Sequence, residues 1–186
     1  MKMRILAGVG LAAFLLAPVT ALGDSATETY ALVITLPNMA EASNGDRVAV
    51  TGLGTFTINP NGVMDMGGTF VHTDSAGTEV GRGTWRATEL LSFQPYGCGI
   101  VTFPDPDVIL PSNFCGGAVK MRIVLTPQGT DVELGGNLTT FCIVGPNPPN
   151  SHDEPSEEGV TLNVFDVINF NQVAPGGTNI YIRTSP

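Results

Sequence analysis

The sequence predicts an all-β domain of about eight antiparallel strands, and three features support this prediction. Apolar and polar residues alternate through most of the chain after residue 23, which is the period of a strand with one buried face. Helical periodicity is nearly absent there. Short connections rich in proline, glycine, asparagine and aspartate separate the alternating runs, as tight turns require. The predicted strands span residues 28–36, 47–58, 63–72, 78–93, 118–126, 130–144, 160–170 and 180–183.

The first 23 residues have the organisation of a secretory signal peptide. Lys2 and Arg4 precede an uncharged apolar run, and small residues follow it. The run is shorter than the roughly 20 residues that cross the hydrocarbon core of a bilayer, so a signal peptide is favoured over a membrane anchor. Cleavage after Gly23 is preferred to cleavage two residues earlier. Residues 24–186 would then form one periplasmic or secreted domain.

The charge of the predicted mature domain excludes some classes of partner. Residues 24–186 contain six basic and seventeen acidic residues, which gives a formal net charge of −11. Nucleic acids and anionic membrane surfaces are bound by clustered cations. We therefore predict no nucleic-acid partner. No later segment is apolar enough to predict a membrane span.

Residues 38–46 are expected to form a loop or one short turn of helix between the first two strands, and short turns join the second, third and fourth strands. Pro37 is expected to end the first strand, and residues 59–62 (Asn-Pro-Asn-Gly) connect the second strand to the third. The fourth strand is long and contains Gly81 and Gly83, which favour a bend or a bulge. A barrel is therefore favoured over a two-sheet sandwich, because closure removes exposed strand edges.

A long segment without clear alternation, residues 94–117, interrupts the strand pattern. It contains four prolines, and Cys98 and Cys115 lie in glycine-rich surroundings within it. Loops of this length inside a compact domain are usually functional or held in place. Because exported cysteines tend to oxidise, a disulfide between Cys98 and Cys115 is favoured. Pairings that use Cys142 stay open at this stage, since sequence does not fix connectivity.

One acidic residue falls among apolar neighbours near the end of the chain. In the predicted strand 160–170, Asp166 shares a face with Val160, Leu162, Val164 and Ile168. A buried carboxyl needs a partner or becomes neutral, so Asp166 is the candidate catalytic residue if the domain is an enzyme. A structural ion pair with Arg82 or Arg86, or a bulge that turns Asp166 outward, is favoured over catalysis.

No pattern in the sequence predicts a metal, a cofactor or an activated nucleophile. The two histidines, His72 and His152, lie in no spacing that assembles three or four ligands. The acidic residues of 145–159 lack the ordered spacing of a calcium loop. The chain has no Gly-x-Ser-x-Gly motif, and Cys142 on an apolar strand is expected to be inert.

Several stretches resemble known proteins. Residues 83–85 (Gly-Thr-Trp) resemble the glycine-x-tryptophan signature of the calycins, the lipocalin and fatty-acid-binding barrels, although three strands precede it here. Residues 68–72, 83–87, 91–93 with 96–99, and 157–160 resemble a group of secreted bacterial proteins of unknown function. The strand number also resembles that of the allene oxide cyclase and dirigent barrels, without a motif that maps onto particular residues. These resemblances imply an exported barrel and no particular activity.

Methionine and aromatic side chains near one end of the predicted barrel are candidate ligand contacts. They suit adaptable apolar pockets and equally a filled core, and the filled core is favoured. The candidates are Met64, Met66, Phe70, Trp85, Phe93 and Tyr96.

The leading functional hypothesis is an exported non-enzymatic domain that binds a small apolar ligand or a surface partner. Binding would involve the barrel mouth and the 94–117 segment. The rivals are a cyclase or isomerase that uses Asp166, and a structural envelope or surface protein. The sequence leaves the oligomeric state open.

Overall fold

The chain is all-β in the computed structural model, which describes residues 26–103, 106–152 and 157–185. The predicted signal peptide, residues 1–23, lies outside these ranges. The described residues contain twelve strands, and they include no helix that is long and apolar enough to cross a membrane. The strands are β1 (Glu28–Glu41), β2 (Arg47–Ile58), β3 (Gly62–Thr73), β4 (Glu79–Cys98), β5 (Ile100–Val101), β6 (Val108–Ile109), β7 (Phe114–Pro127), β8 (Leu134–Cys142), β9 (Gly159–Val164), β10 (Ile168–Phe170), β11 (Gln172–Ala174) and β12 (Thr178–Arg183).

The main sheet is antiparallel and partly ring-like. Its strand order is β10-β9-β8-β7-β12-β1-β2-β3-β4, and β11 pairs with the end of β1. Because β4 also pairs along β7, the strands β1, β2, β3, β4, β7 and β12 form a closed circuit of pairings. β12 and β8 pair with successive parts of β7, so β8, β9 and β10 continue the sheet beyond the circuit. β5 and β6 form a separate hairpin within the 94–117 segment.

An aromatic cluster lies in the core that these strands enclose. Tyr30 and Phe56 stack with ring centroids 5.1 Å apart, and Phe93 lies 5.1 Å from each of them. Tyr181 packs edge-on against Phe56 at 6.1 Å. Such pairs contribute about 0.5–1.5 kcal/mol each beyond the burial of their area. The alternation of the sequence therefore produces a filled core around these rings.

Two glycines allow Trp85 to lie against β2. A Cβ atom on Gly52 would be 2.4 Å from the Cζ2 atom of Trp85, and one on Gly68 would be 1.9 Å from the carbonyl oxygen of Thr51. The same Thr51 carbonyl accepts a hydrogen bond of 2.9 Å from the indole N–H of Trp85. The indole is therefore buried with its one polar atom satisfied, as buried polar groups require.

Irregularities in the strands explain where the predicted boundaries are wrong. Pro37 does not end β1, because the pairing with β2 shifts between Ile34 and Asn38 and the strand then resumes. Asp65 has a φ of 47°, and the pairing of β2 with β3 shifts next to it. This irregularity turns Met64 outward, so Met64 does not share the face of Met66 as alternation predicted.

The strand predicted over 130–144 is shorter than expected at its beginning. β8 starts at Leu134, and its register places Lys120 opposite Thr139 and Arg122 opposite Asn137. Residues 131 and 133 lie before β8 and are not part of this ladder. The Arg122 guanidinium instead lies 5.0 Å from the centroid of the Phe165 ring.

The strand predicted over 160–170 is two strands. The chain turns at residues 165–167, and β10 pairs back onto β9, with Ile168 opposite Val164. A turn in an apolar alternating run leaves the alternation intact on both sides, so the pattern alone did not reveal it. This hairpin forms one wall of the candidate site.

The disulfide between Cys98 and Cys115 is confirmed. The two cysteines are directly opposite each other where β4 pairs with the start of β7. The bond closes the 94–117 segment at its base, and Cys142 is left as a buried free thiol.

Candidate functional site

An apolar cleft, the end cleft, opens at the end of the sheet near the β3–β4 turn. Its volume is about 210 Å³. Strands β2, β3, β4, β7, β8, β9 and β10 all contribute to its lining. The lining residues are Val48, Phe70, His72, Val80, Gly81, Arg82, Leu125, Pro127, Leu134, Leu162, Val164, Val167, Ile168 and Phe170.

Apolar side chains at the rim of the end cleft are unusually exposed. The exposed fraction of Val80 is 56%, and that of Val167 in the β9–β10 turn is 63%. Each could be shielded from water by a molecule in the cleft. Concave sites with mainly apolar linings and few polar groups are the usual form of small-ligand pockets.

The polar groups of the end cleft are already paired. His72 Nε2 lies 3.0 Å from Asp46 Oδ2, and the His72 ring packs edge-on against Phe170. Arg82 forms an ion pair with Glu79, and this hydrogen bond holds the pKa of the Glu79 carboxyl below its usual value. Because Arg82 is paired with Glu79 and His72 with Asp46, the cleft favours a neutral, mostly apolar molecule over an ion.

A wider depression of about 450 Å³ lies next to the end cleft on the outer face of the sheet. Thr69, Thr84 and Thr126 are aligned there across β3, β4 and β7. Thr69 and Thr84 are exposed, and water already solvates hydroxyl groups in such a position. The smaller apolar cleft is therefore the better candidate for ligand binding.

The six residues predicted to contact a ligand do not converge at one place. Of the six, Phe70 is the one that lines the end cleft. Met66 and Trp85 are buried in the core, Phe93 is part of the aromatic cluster, and Met64 is exposed.

Tyr96 has a different role from the one expected. Its hydroxyl forms a hydrogen bond of 2.8 Å with Nδ1 of His152, whose ring packs on Phe141 at 4.2 Å between centroids. Burial lowers the pKa of His152, which favours the neutral ring. Tyr96 therefore anchors the loop that contains His152.

Asp166 is not on the buried face where alternation placed it. It is exposed in the β9–β10 turn with a φ of 59°, a left-handed conformation that aspartate tolerates better than most residues. The turn at 165–167 interrupts the alternation and rotates this carboxylate into solvent. The expected shared face with Leu162 and Val164 is therefore wrong, and Asp166 faces no enclosed space.

A second apolar cleft, the side cleft, lies between the 94–117 segment and β12 and has a volume of about 290 Å³. Thr178, Asn179 and Ile180 of β12 form one wall of it, and Cys115 of the core cluster lies on the other. Its lining residues are Val101, Leu110, Phe114, Cys115, Ile143, Val144, Glu158, Thr178, Asn179 and Ile180.

Glu158 is the one acidic residue among the described residues that line the side cleft. Its Oε1 atom accepts a hydrogen bond of 2.8 Å from the backbone N–H of Asn179. Burial raises the pKa of Glu158 from 4.5 to about 7, although this hydrogen bond acts in the opposite direction. Glu158 could not be singled out from the sequence, because it stands in an acidic stretch of a kind typical of solvated loops.

Buried polar side chains tie β12 to its neighbours beside the side cleft. The Asn179 amide donates to the carbonyl oxygens of Phe141 and Gly159, at 2.9 and 2.7 Å. The Tyr181 hydroxyl donates to the Thr140 carbonyl at 2.8 Å. These bonds fix β12 against the ends of β8 and β9, so the wall of the side cleft is rigidly placed.

Within the described ranges, no group of three or more His, Cys, Asp or Glu side chains is placed to hold a metal ion. Burial raises the pKa of the Cys142 thiol to about 12, which disfavours the reactive thiolate. Comparison with protein-family models, curated proteins and solved structures found no match to this chain. The clefts themselves are therefore the evidence about function.

Proposed function

We propose that this protein is an exported, non-enzymatic binding domain that holds a small apolar ligand in the end cleft. The observation that carries the proposal is an apolar cleft, built by seven strands, whose rim exposes Val80 and Val167 to water. Covering apolar surface is worth about 25 cal/mol per Å². A neutral ligand gains this free energy of burial without breaking the His72–Asp46 or Arg82–Glu79 pair.

A closed barrel is the architecture that accompanies this proposal. The circuit of pairings from β1 through β4, β7 and β12 back to β1 supports it. In such a barrel the aromatic cluster fills the middle, and a ligand occupies only the end near Phe70. The disulfide supports export, since such bonds persist mainly in oxidising compartments. Binding of a surface partner through the 94–117 segment stays a prediction.

Gly81 provides a direct test of the end cleft. It lines the cleft, and a Cβ atom there would have no heavy atom within 4 Å. The Gly81→Val substitution therefore adds a branched side chain at the lining, at a position where its Cβ atom meets no neighbour, and valine suits a strand. Thr84→Val is the matched control, because Thr84 is exposed on the same strand and does not line the end cleft.

The probe is the neutral dye N-phenyl-1-naphthylamine, and the readout is energy transfer from Trp85, the single tryptophan of the chain. Saturable transfer is expected in the wild type and in Thr84→Val. Binding to Gly81→Val should be weaker by about tenfold, which corresponds to 1.4 kcal/mol. Equal binding by wild type and Gly81→Val, or no saturable binding at all, would show that the end cleft is not a ligand site.

A further inference from the structure

Among the described residues, the side cleft combines an apolar lining with one carboxyl group and no basic side chain. Of the ten described residues that line it, Glu158 is the one with an ionisable side chain apart from the disulfide-bonded Cys115, and none is basic. The Glu79 carboxylate near the end cleft is, in contrast, paired with the Arg82 guanidinium. Glu158 has instead a single backbone N–H as its assigned partner among the described residues.

We propose that the side cleft binds a small hydrophobic amine, whose ammonium group pairs with the Glu158 carboxylate while its apolar body packs against Ile143 and Ile180. This site is separate from the end cleft and does not depend on the function proposed above.

The charges around Glu158 favour an ammonium ligand over other classes. A carboxylate accepts hydrogen bonds at both oxygens, and the Asn179 N–H uses only part of this capacity. The ionised group repels an anion, and a neutral apolar molecule leaves the carboxylate without an opposite charge. A cation with an apolar body removes both penalties, because buried charges are stabilised by pairing.

The other titratable groups near Glu158 do not compete for a cation. Cys142 on β8 and Tyr181 on β12 interact with it electrostatically. Burial raises the pKa of Cys142 to about 12 and that of Tyr181 well above 10, so both groups are neutral at physiological pH. Glu157, which adjoins Glu158 in the chain, is also acidic. The local field therefore attracts a cation.

The walls of the side cleft are held in place before a ligand arrives. Cys115 lines the cleft and is joined to Cys98 by the disulfide, which fixes the base of the 94–117 segment. On the opposite wall, the side chain of Asn179 is bonded to two carbonyl oxygens. Such preorganisation reduces the ordering cost of binding.

Three molecules of similar size and different charge test this proposal: 2-phenylethylamine, 2-phenylethanol and phenylacetate. Binding is followed by amide chemical shifts of the side-cleft residues at pH 8. We expect the amine to bind about tenfold more tightly than the alcohol, in the range of close charge pairs, and phenylacetate not to saturate. The amine's affinity should increase from pH 6 to pH 8 as Glu158 ionises.

Glu158→Gln should remove the preference for the amine and its pH dependence while leaving the weak binding of the alcohol unchanged. Glu157→Gln, a neighbouring change outside the lining, should retain both. Equal affinity of amine and alcohol in the wild type would overturn the proposal. So would a preference that survives in Glu158→Gln, or the absence of any side-cleft shift. Dye binding in the end cleft is expected to be unchanged by Glu158→Gln, so the two proposals fail separately.

Discussion

Replacing Glu158 by glutamine is expected to remove a loss of stability that the wild type suffers as the pH rises. The folded-state pKa of this carboxyl is raised from 4.5 to about 7 by burial. Below pH 4.5 the group is protonated in both the folded and the unfolded chain, so the folded state has no penalty. Between pH 4.5 and 7 the unfolded chain ionises first, and ionisation there favours unfolding.

The magnitude follows from the two pKa values. One pKa unit corresponds to 1.36 kcal/mol, so raising the pKa of Glu158 from 4.5 to about 7 costs at most about 3 kcal/mol of the free energy of unfolding. The cost is absent below pH 4.5, grows up to pH 7 and is constant above it. Glutamine does not titrate, so its contribution does not change over this range.

Urea unfolding of the wild type and of Glu158→Gln at several pH values between 4 and 8 measures this difference. We expect the wild type to lose about 2–3 kcal/mol relative to the variant between pH 4.5 and 7.5. Glu157→Gln is the control for a general loss of one negative charge. A difference between wild type and Glu158→Gln that stays constant with pH would refute the reasoning, because it would mean that folding does not shift the pKa of this carboxyl.

Two further predictions concern the disulfide and the close approach of strands in the sheet that supports the clefts. Replacing both Cys98 and Cys115 by alanine is expected to lower the free energy of unfolding by about 3 kcal/mol, because the bond joins residues 17 apart in sequence and restricts the unfolded chain. Thermal unfolding of the oxidised wild type and of the variant checks this, and equal midpoints would contradict it. Gly68→Ala is expected to destabilise the fold by more than 2 kcal/mol, since its Cβ would lie 1.9 Å from a backbone oxygen of β2. Gly81→Ala, with no atom within 4 Å of its Cβ, should be neutral or slightly stabilising. Denaturant unfolding compares the two variants, and similar losses for both would show that the close approach at Gly68 is unimportant.

The fold class could be predicted from the sequence because alternation follows from burial of one face of a strand. The side chains of Tyr30, Val50 and Val119, each in an alternating stretch of sequence, are buried as expected. The pairing of Cys98 with Cys115 could also be predicted, since both lie in a segment whose ends must be held together. These features depend on local pattern or on short separations in the chain.

The details of the sites could not be predicted, because small irregularities change which face a residue occupies. The irregularity at Asp65 turns Met64 into solvent, and the turn at Asp166 divides one predicted strand into two. A one-residue change of register moves a side chain to the other face. Alternation on each side of such a point looks the same whether the chain continues or turns.

The role of Glu158 depends on contacts between distant parts of the chain. Its carboxyl group accepts a hydrogen bond from Asn179 on β12 and lines a cleft together with the 94–117 segment, and both elements are distant from it in sequence. In the sequence it is one of several acidic residues before Gly159. Nothing in local composition distinguishes a carboxylate that will be covered from one that will be solvated.

Analysis of what the purified protein contains tests ligand binding in the end cleft most directly. Wild type and Gly81→Val would be purified from the organism that makes the protein, extracted with organic solvent, and compared by mass spectrometry. We expect a small neutral apolar molecule in the wild-type extract, in a fixed ratio to protein, and a strongly reduced amount from Gly81→Val. An empty wild-type extract, or the same molecule in equal amounts from both proteins, would contradict the proposal.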